Sequence, residues 1–368
     1  MFANDGEHGR EPWMSDGLAG GTIQIADAVA GEAGSASSTL GYLESHWPVL
    51  LHDTALPTPR LYLTNGAAGS LLLVEGGDDI GDSWSVGRDR FGDRAVVSNG
   101  FRIWSVQEAP AQVEMLADHL YLHLDFVTTL FPGARGLYFA RRDTYTTPGI
   151  WITDGTLNGT RLFCGGAEAI YFSHGTDIVE FGSGVAFIGS SNSLAPGPWV
   201  CDREGASARS LNLSEWGIAQ GSANLTPVGS YLVFAATDSD GDRELWRSDG
   251  TTEGSARLAD IFPGGSSAPE HFFAFNGRAL FTAIDAIHGR ELWITDGTSA
   301  GTTLVADIAP GLTSSSPADF RLSHGAVVFT AGTTANGREL WVTAGTPGST
   351  QMLADANPGP ASSSPASA

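Results

Sequence analysis

The chain has no lysine; all 19 of its basic residues are arginine. With 41 acidic residues the net charge is −22. So acidic a surface argues against binding a phosphate backbone, which needs clustered Lys and Arg. It suits high solubility, cations or a basic partner. Only two cysteines are present, Cys164 and Cys201, which is too few for a disulfide framework. They fall on neighbouring repeats and are expected as two buried thiols, with a disulfide as the alternative. No apolar run of about 20 residues is found, so no membrane insertion is expected. The start, Met1-Phe2-Ala3-Asn4-Asp5, lacks the basic and apolar character of a secretory signal. Sustained 3.6-residue periodicity is missing as well, so helix content should be very low. No nucleophile elbow, zinc signature or phosphate loop is seen.

What the chain has is repetition. Gly289-Arg290-Glu291-Leu292-Trp293-Ile294-Thr295-Asp296-Gly297-Thr298 recurs as Asp242-Arg243-Glu244-Leu245-Trp246 with Asp249-Gly250-Thr251. It recurs again as Gly337-Arg338-Glu339-Leu340-Trp341 and as Gly9-Arg10-Glu11-Pro12-Trp13. Weaker copies centre on Tyr62, Trp104, Trp151 and Trp199. The eight anchors lie about 47 residues apart and tile the chain, which predicts a single domain over 1–368. The copies at 40–145 are divergent, and 361–368 reads as a flexible C-terminal tail.

Each unit reads as four short strands. Phe272–Phe275 runs into the hairpin signal Asn276-Gly277. Ala279–Ala283, Glu291–Thr295 and Thr303–Ile308 follow, with the Asp296-Gly297 turn between the last two. Four strands in that length match a propeller blade. The expected fold is all-β, a β-propeller of four-stranded antiparallel blades. Eight blades are expected, with seven plus a partial blade as the alternative, because the chain starts in a second strand.

Along a strand Glu291, Trp293 and Thr295 face one way, and Arg290, Leu292 and Ile294 the other. Trp293 is therefore expected in the core between blades. Any salt bridge of Arg290 or Glu291 is expected with another blade. Asp296-Gly297-Thr298 reads as turn chemistry, in which Asp bonds its own backbone and Gly accepts a positive φ.

The motif Glu-Leu-Trp-x-x-Asp-Gly-Thr, followed by Gly-Thr, an apolar strand and Asp-Ile-x-Pro-Gly, resembles the ELWxxDGT repeat family. Its members are often labelled hyalin-like and are large bacterial surface or secreted proteins. The resemblance implies a bacterial, extracellular or cell-surface setting and carries over no catalytic residue.

Two groups of candidate site residues stand out. Asp238, Asp240, Asp242 and Glu244 put alternate carboxylates in one loop and could give hard oxygen ligands to Ca²⁺, without the spacing of an EF-hand. His46, His52, Asp53, His119 and His123 lie in the divergent units, where a single ligand site would break the repeat. The expected function is a non-catalytic binding or adhesion module, a monomer with a glycan or an extracellular protein as partner. The alternatives are a glycan hydrolase or lyase with its site at one mouth of a central channel, and a structural segment of a longer surface protein.

Overall fold

The computed structural model describes residues 224–354 without a break, and 130–141, 149–165, 178–191 and 196–211 with short pieces between them. Before residue 130 it describes mainly strands and a few flanking positions. The chain divides into two compact units, Met1–Gly166 and Ala167–Ala368.

Both units are all-β. Among the described residues helical structure amounts to a 3-10 turn at Pro347–Ser349 and a 3-10 position at Leu213. The strands form eight antiparallel sheets, spanning 2–24, 36–73, 89–117 and 131–165 in the first unit. In the second unit they span 171–210, 226–259, 270–306 and 318–354. Six sheets are four-stranded meanders, as the repeat predicts. The first has three strands. The fifth has five, because Tyr171–Phe172 and Ile178–Phe181 both pair with Gly184–Ser190.

The seventh sheet shows how sequence makes the unit. Its strands are Glu270–Phe275, Arg278–Asp285, Gly289–Thr295 and Thr303–Ala306. Asn276 and Gly277 take φ of 50° and 73°, the double positive φ that a two-residue hairpin turn requires. Phe281 pairs with Trp293 and Leu280 with Ile294, so the alternation sorts side chains onto two faces. Phe281, Ala279 and Ala283, with Trp293 against them, pack on Val233, Leu245 and Leu258 of the sixth sheet. Leu280, Leu292 and Ile294 pack on Phe320, Val327 and Phe329 of the eighth. Burying both faces is what a stack of small sheets needs, since none holds a core alone.

Two features recur at fixed positions. A β-bulge falls just before the anchor tryptophan, at Ile103/Trp104, Ile150/Trp151, Leu245/Trp246, Leu292/Trp293 and Leu340/Trp341. A bulge bends the strand and increases its twist. The second is the Asp-Gly-Thr turn. Asp296 Oδ1 accepts the N–H (2.9 Å) and the hydroxyl (2.6 Å) of Thr298, and the Gly297 N–H donates to Thr295 Oγ1 at 3.1 Å. The turns at Asp154 and Asp249 repeat these bonds.

Candidate functional site

The Arg-Glu pair that opens the third strand is the most elaborated polar feature of the described residues. Glu291 is fully buried. Its carboxylate accepts the N–H groups of Ile308 (2.9 Å), Ala309 (3.3 Å) and Ser315 (2.9 Å) and the Ser315 hydroxyl (2.6 Å). All four donors belong to the connector between the seventh and eighth sheets. Burial pushes the carboxyl above its ordinary pKa, against hydrogen bonds that favour the ionised form. Glu244 makes the equivalent hydrogen-bonded grip one sheet earlier. It takes the N–H groups of Ile261 (3.1 Å) and Ser267 (2.9 Å) and the Ser267 hydroxyl (2.5 Å).

Its neighbour arginine completes the grip through its backbone. The Arg290 N–H donates to Ser314 Oγ at 2.9 Å, and its carbonyl accepts the Ser316 N–H at 3.2 Å. Arg243 binds Ser266 and Ala268 in the same way, and the Arg338 N–H donates to Ser362 Oγ at 3.0 Å. An Arg-Glu dipeptide thus meets a Ser-Ser dipeptide: the first serine takes the Arg backbone and the second takes the Glu carboxylate.

The following sheet holds the other side of each connector. Arg290 Nη1 donates to the Ala268 carbonyl at 2.8 Å, and Arg338 Nη1 to that of Ser316 at 2.9 Å. The Ser267 and Ser315 carbonyls accept the N–H groups of Ile284 and Gly332, each at 2.8 Å. Ala268 and Ser316 hold φ of 42° and 46°, a costly conformation for residues with a side chain. Each connector is therefore fixed by the glutamate behind it and the arginine ahead of it. The expectation of an Arg290 salt bridge with another blade is corrected. Arg290 pairs with Glu270 at 3.5 Å, on the first strand of its own sheet, because its side chain lies back across that sheet.

The acidic loop is not gathered around one point. Asp238 Oδ1 caps its own loop, accepting the N–H groups of Asp240 (3.0 Å) and Asp242 (3.1 Å). Its other oxygen lies 3.4 Å from Arg257, which also pairs with Asp260. Glu244 is turned into the buried clamp, which corrects its assignment as a metal ligand. The four side chains do not form a Ca²⁺ donor set. Among the described residues no group of three or more His, Cys, Asp and Glu side chains could hold a metal ion. The equivalent loop of the seventh sheet begins with Asp285. Its Oδ1 accepts the N–H groups of Ile287 (3.0 Å) and His288 (2.7 Å), and its Oδ2 meets His288 Nδ1 at 2.7 Å.

His46, His52, Asp53, His119 and His123 lie outside the described residues. The cysteine expectation is corrected: Cys164 and Cys201 are buried but disulfide-bonded, not free thiols. Among the described residues no helix is long and apolar enough to cross a membrane.

The glutamate clamp was missed by sequence reasoning, although a signal existed. Ser266-Ser267, Ser314-Ser315 and Ser362-Ser363 keep step with the Arg-Glu pairs.

No protein-family model matches the chain, and no curated protein does. Solved structures do. One is an acylaminoacyl peptidase of Pyrococcus horikoshii, with 12% identity over 88% of this chain and 53% of that one, at a TM-score of 0.40. A puromycin hydrolase gives 14%, 89%, 54% and 0.43. Prolyl oligopeptidase B from Galerina marginata gives 12%, 86%, 50% and 0.47. The chain spans about half the length of these structures. By name they are peptidases and a hydrolase, not adhesion modules, and this corrects the expected binding or adhesion function.

Proposed function

We propose that the eight sheets are the blades of one β-propeller, and that this propeller is a rigid accessory body for a catalytic partner domain or subunit. The observation that carries the reading is the clamp. Glu11, Glu244, Glu291 and Glu339 are buried acidic side chains of the described repeats, and Glu244 and Glu291 are spent on joining one sheet to the next. A scaffold needs that stiffness, and the carboxylates used for it are not available for acid–base work.

The motif supports membership of the ELWxxDGT repeats. An extracellular or cell-surface setting is proposed with it, supported by the disulfide-bonded state of Cys164 and Cys201, since disulfides persist in oxidising compartments.

Two measurements test this. Particle averages of the purified chain should show a ring of eight lobes; an open or seven-lobed particle would remove the eight-bladed propeller. The purified chain should not hydrolyse a peptide library, N-acylated peptides or puromycin. Turnover that persists in a homogeneous sample would make the chain itself an enzyme and end the scaffold reading.

A further inference from the structure

The loop that joins the second and third strands of the seventh sheet carries a histidine that the equivalent loops of the sixth and eighth sheets lack. Where the sixth sheet has Gly241-Asp242 and the eighth has Asn336-Gly337, it has His288-Gly289. The imidazole Nδ1 lies 2.7 Å from Asp285 Oδ2, and the ring is only partly exposed. The charged groups that bear on it come from three elements: Asp285 at the end of the second strand, Glu291 on the third strand, and Asp307 on the connector to the eighth sheet. All three are carboxylates.

The same loop is seated on that connector. A Cβ added at Gly289 would lie 2.9 Å from the carbonyl oxygens of both Leu312 and Thr313. The next N–H, that of Arg290, bonds Ser314 Oγ at 2.9 Å. The connector itself hangs on Glu291 through Ile308, Ala309 and Ser315. The histidine therefore sits where the clamp, the loop and the connector meet.

We infer that His288 is a pH-dependent tie on the connector between the seventh and eighth sheets. As imidazolium it offsets the charge of Asp285, Glu291 and Asp307 and holds the 285–289 loop against residues 307–314. As neutral imidazole it no longer offsets the charge of these three carboxylates, and the connector opens more often. The hydrogen bond to Asp285, together with the surrounding carboxylates, raises the imidazole pKa above its ordinary value, while burial opposes this. The sign follows. A raised folded pKa gives a contribution fully present below the ordinary imidazole value, roughly 6.5. That contribution is lost as pH rises through the raised value. The tie is independent of whether the chain serves a catalytic partner.

Amide hydrogen exchange of the whole chain tests it, with rates corrected for the intrinsic pH dependence of exchange. Residues 305–316 should open several-fold more often at pH 8 than at pH 5.5. Residues 258–268, the corresponding connector beside a loop without histidine, should not change. His288→Gln should hold residues 305–316 at one opening frequency at both pH values. Unchanged protection at 258–268 in that variant shows that the fold is kept. An NMR titration of the ring should report the raised pKa in the wild type. Equal protection of 305–316 at both pH values in the wild type would overturn the inference. So would a His288→Gln chain that keeps the pH dependence.

Discussion

Ser315 gives both its backbone N–H and its hydroxyl to the one buried carboxylate of Glu291, at 2.9 and 2.6 Å. The serine is 24 residues further along the chain, yet this pair fixes where the eighth sheet begins. Glu291→Ala would leave three N–H groups and a hydroxyl buried without a partner. Removing one side of such an arrangement costs about 3–5 kcal/mol. Glu291→Gln keeps the shape but turns an NH₂ group toward donors, and about 2 kcal/mol is expected. Ser315→Ala removes only the hydroxyl and should cost about 1 kcal/mol. Chemical denaturation of the three variants checks the order. If Glu291→Ala unfolds at the wild-type midpoint, the clamp is not a stabilising element.

The Asp-Gly-Thr turns contain a natural compensation. A Cβ at Gly301 would lie 2.0 Å from Asp296 Oδ1, and Gly159 and Gly254 stand in the same relation to Asp154 and Asp249. In the eighth sheet the aspartate position is Ala344 and the glycine position is Ser349. There Ser349 Oγ accepts the N–H groups of Ala344 (3.0 Å) and Thr346 (3.2 Å), replacing the lost carboxylate. Gly301→Ser alone should destabilise by about 1–3 kcal/mol through overpacking. Asp296→Ala with Gly301→Ser should recover most of that loss, giving a coupling of at least about 1 kcal/mol in a double-mutant cycle. Additive effects would mean that the two positions do not share a site.

These features divide by how visible they are in sequence. The spacing of Trp246, Trp293 and Trp341 marks the sheets because packing demands one large aromatic per unit. Asn276-Gly277 and Asp296-Gly297 mark turns because positive φ restricts residue choice locally. The bulge before Trp293 leaves no such mark, since it is a shift of backbone register compatible with many side chains. The role of Glu291 was hidden for another reason. Its partners, Ile308 and Ser315, are distant in sequence, and a carboxylate on a strand reads equally well as a solvated charge. Glu244 shows the cost of reading locally: grouped with Asp242, it looks like a metal ligand until the strand turns it inward.

The turn aspartates predict the acid limb of stability. The Thr298 hydroxyl and N–H hold Asp296 below the ordinary carboxylate range, and Thr251 does the same for Asp249. A depressed folded pKa gives a contribution present above the unfolded pKa, roughly 3.9. It is lost as pH falls through the folded value. Glu291 acts in the opposite sense, because its raised pKa makes its protonation favour the folded state. The melting temperature should therefore fall as pH drops below about 4. The fall should be shallower when Asp249 and Asp296 are both replaced by Asn. An equally steep fall in that variant would assign acid unfolding to other groups.

The loop at Asp238 should not respond to calcium. Asp238 is engaged by two loop N–H groups and by Arg257, and Glu244 faces the interior, so only Asp240 and Asp242 keep side chains free for an ion at that loop. Two monodentate carboxylates are far from the six to eight oxygens that Ca²⁺ takes. Melting temperatures in millimolar CaCl₂ and in excess EDTA should agree. Asp238→Ala should lower both alike, by about 1 kcal/mol of stability, because what it removes is a loop cap. A rise with CaCl₂ that Asp240→Ala abolishes would instead show that the loop rearranges to take the ion, with backbone carbonyls and water completing the shell.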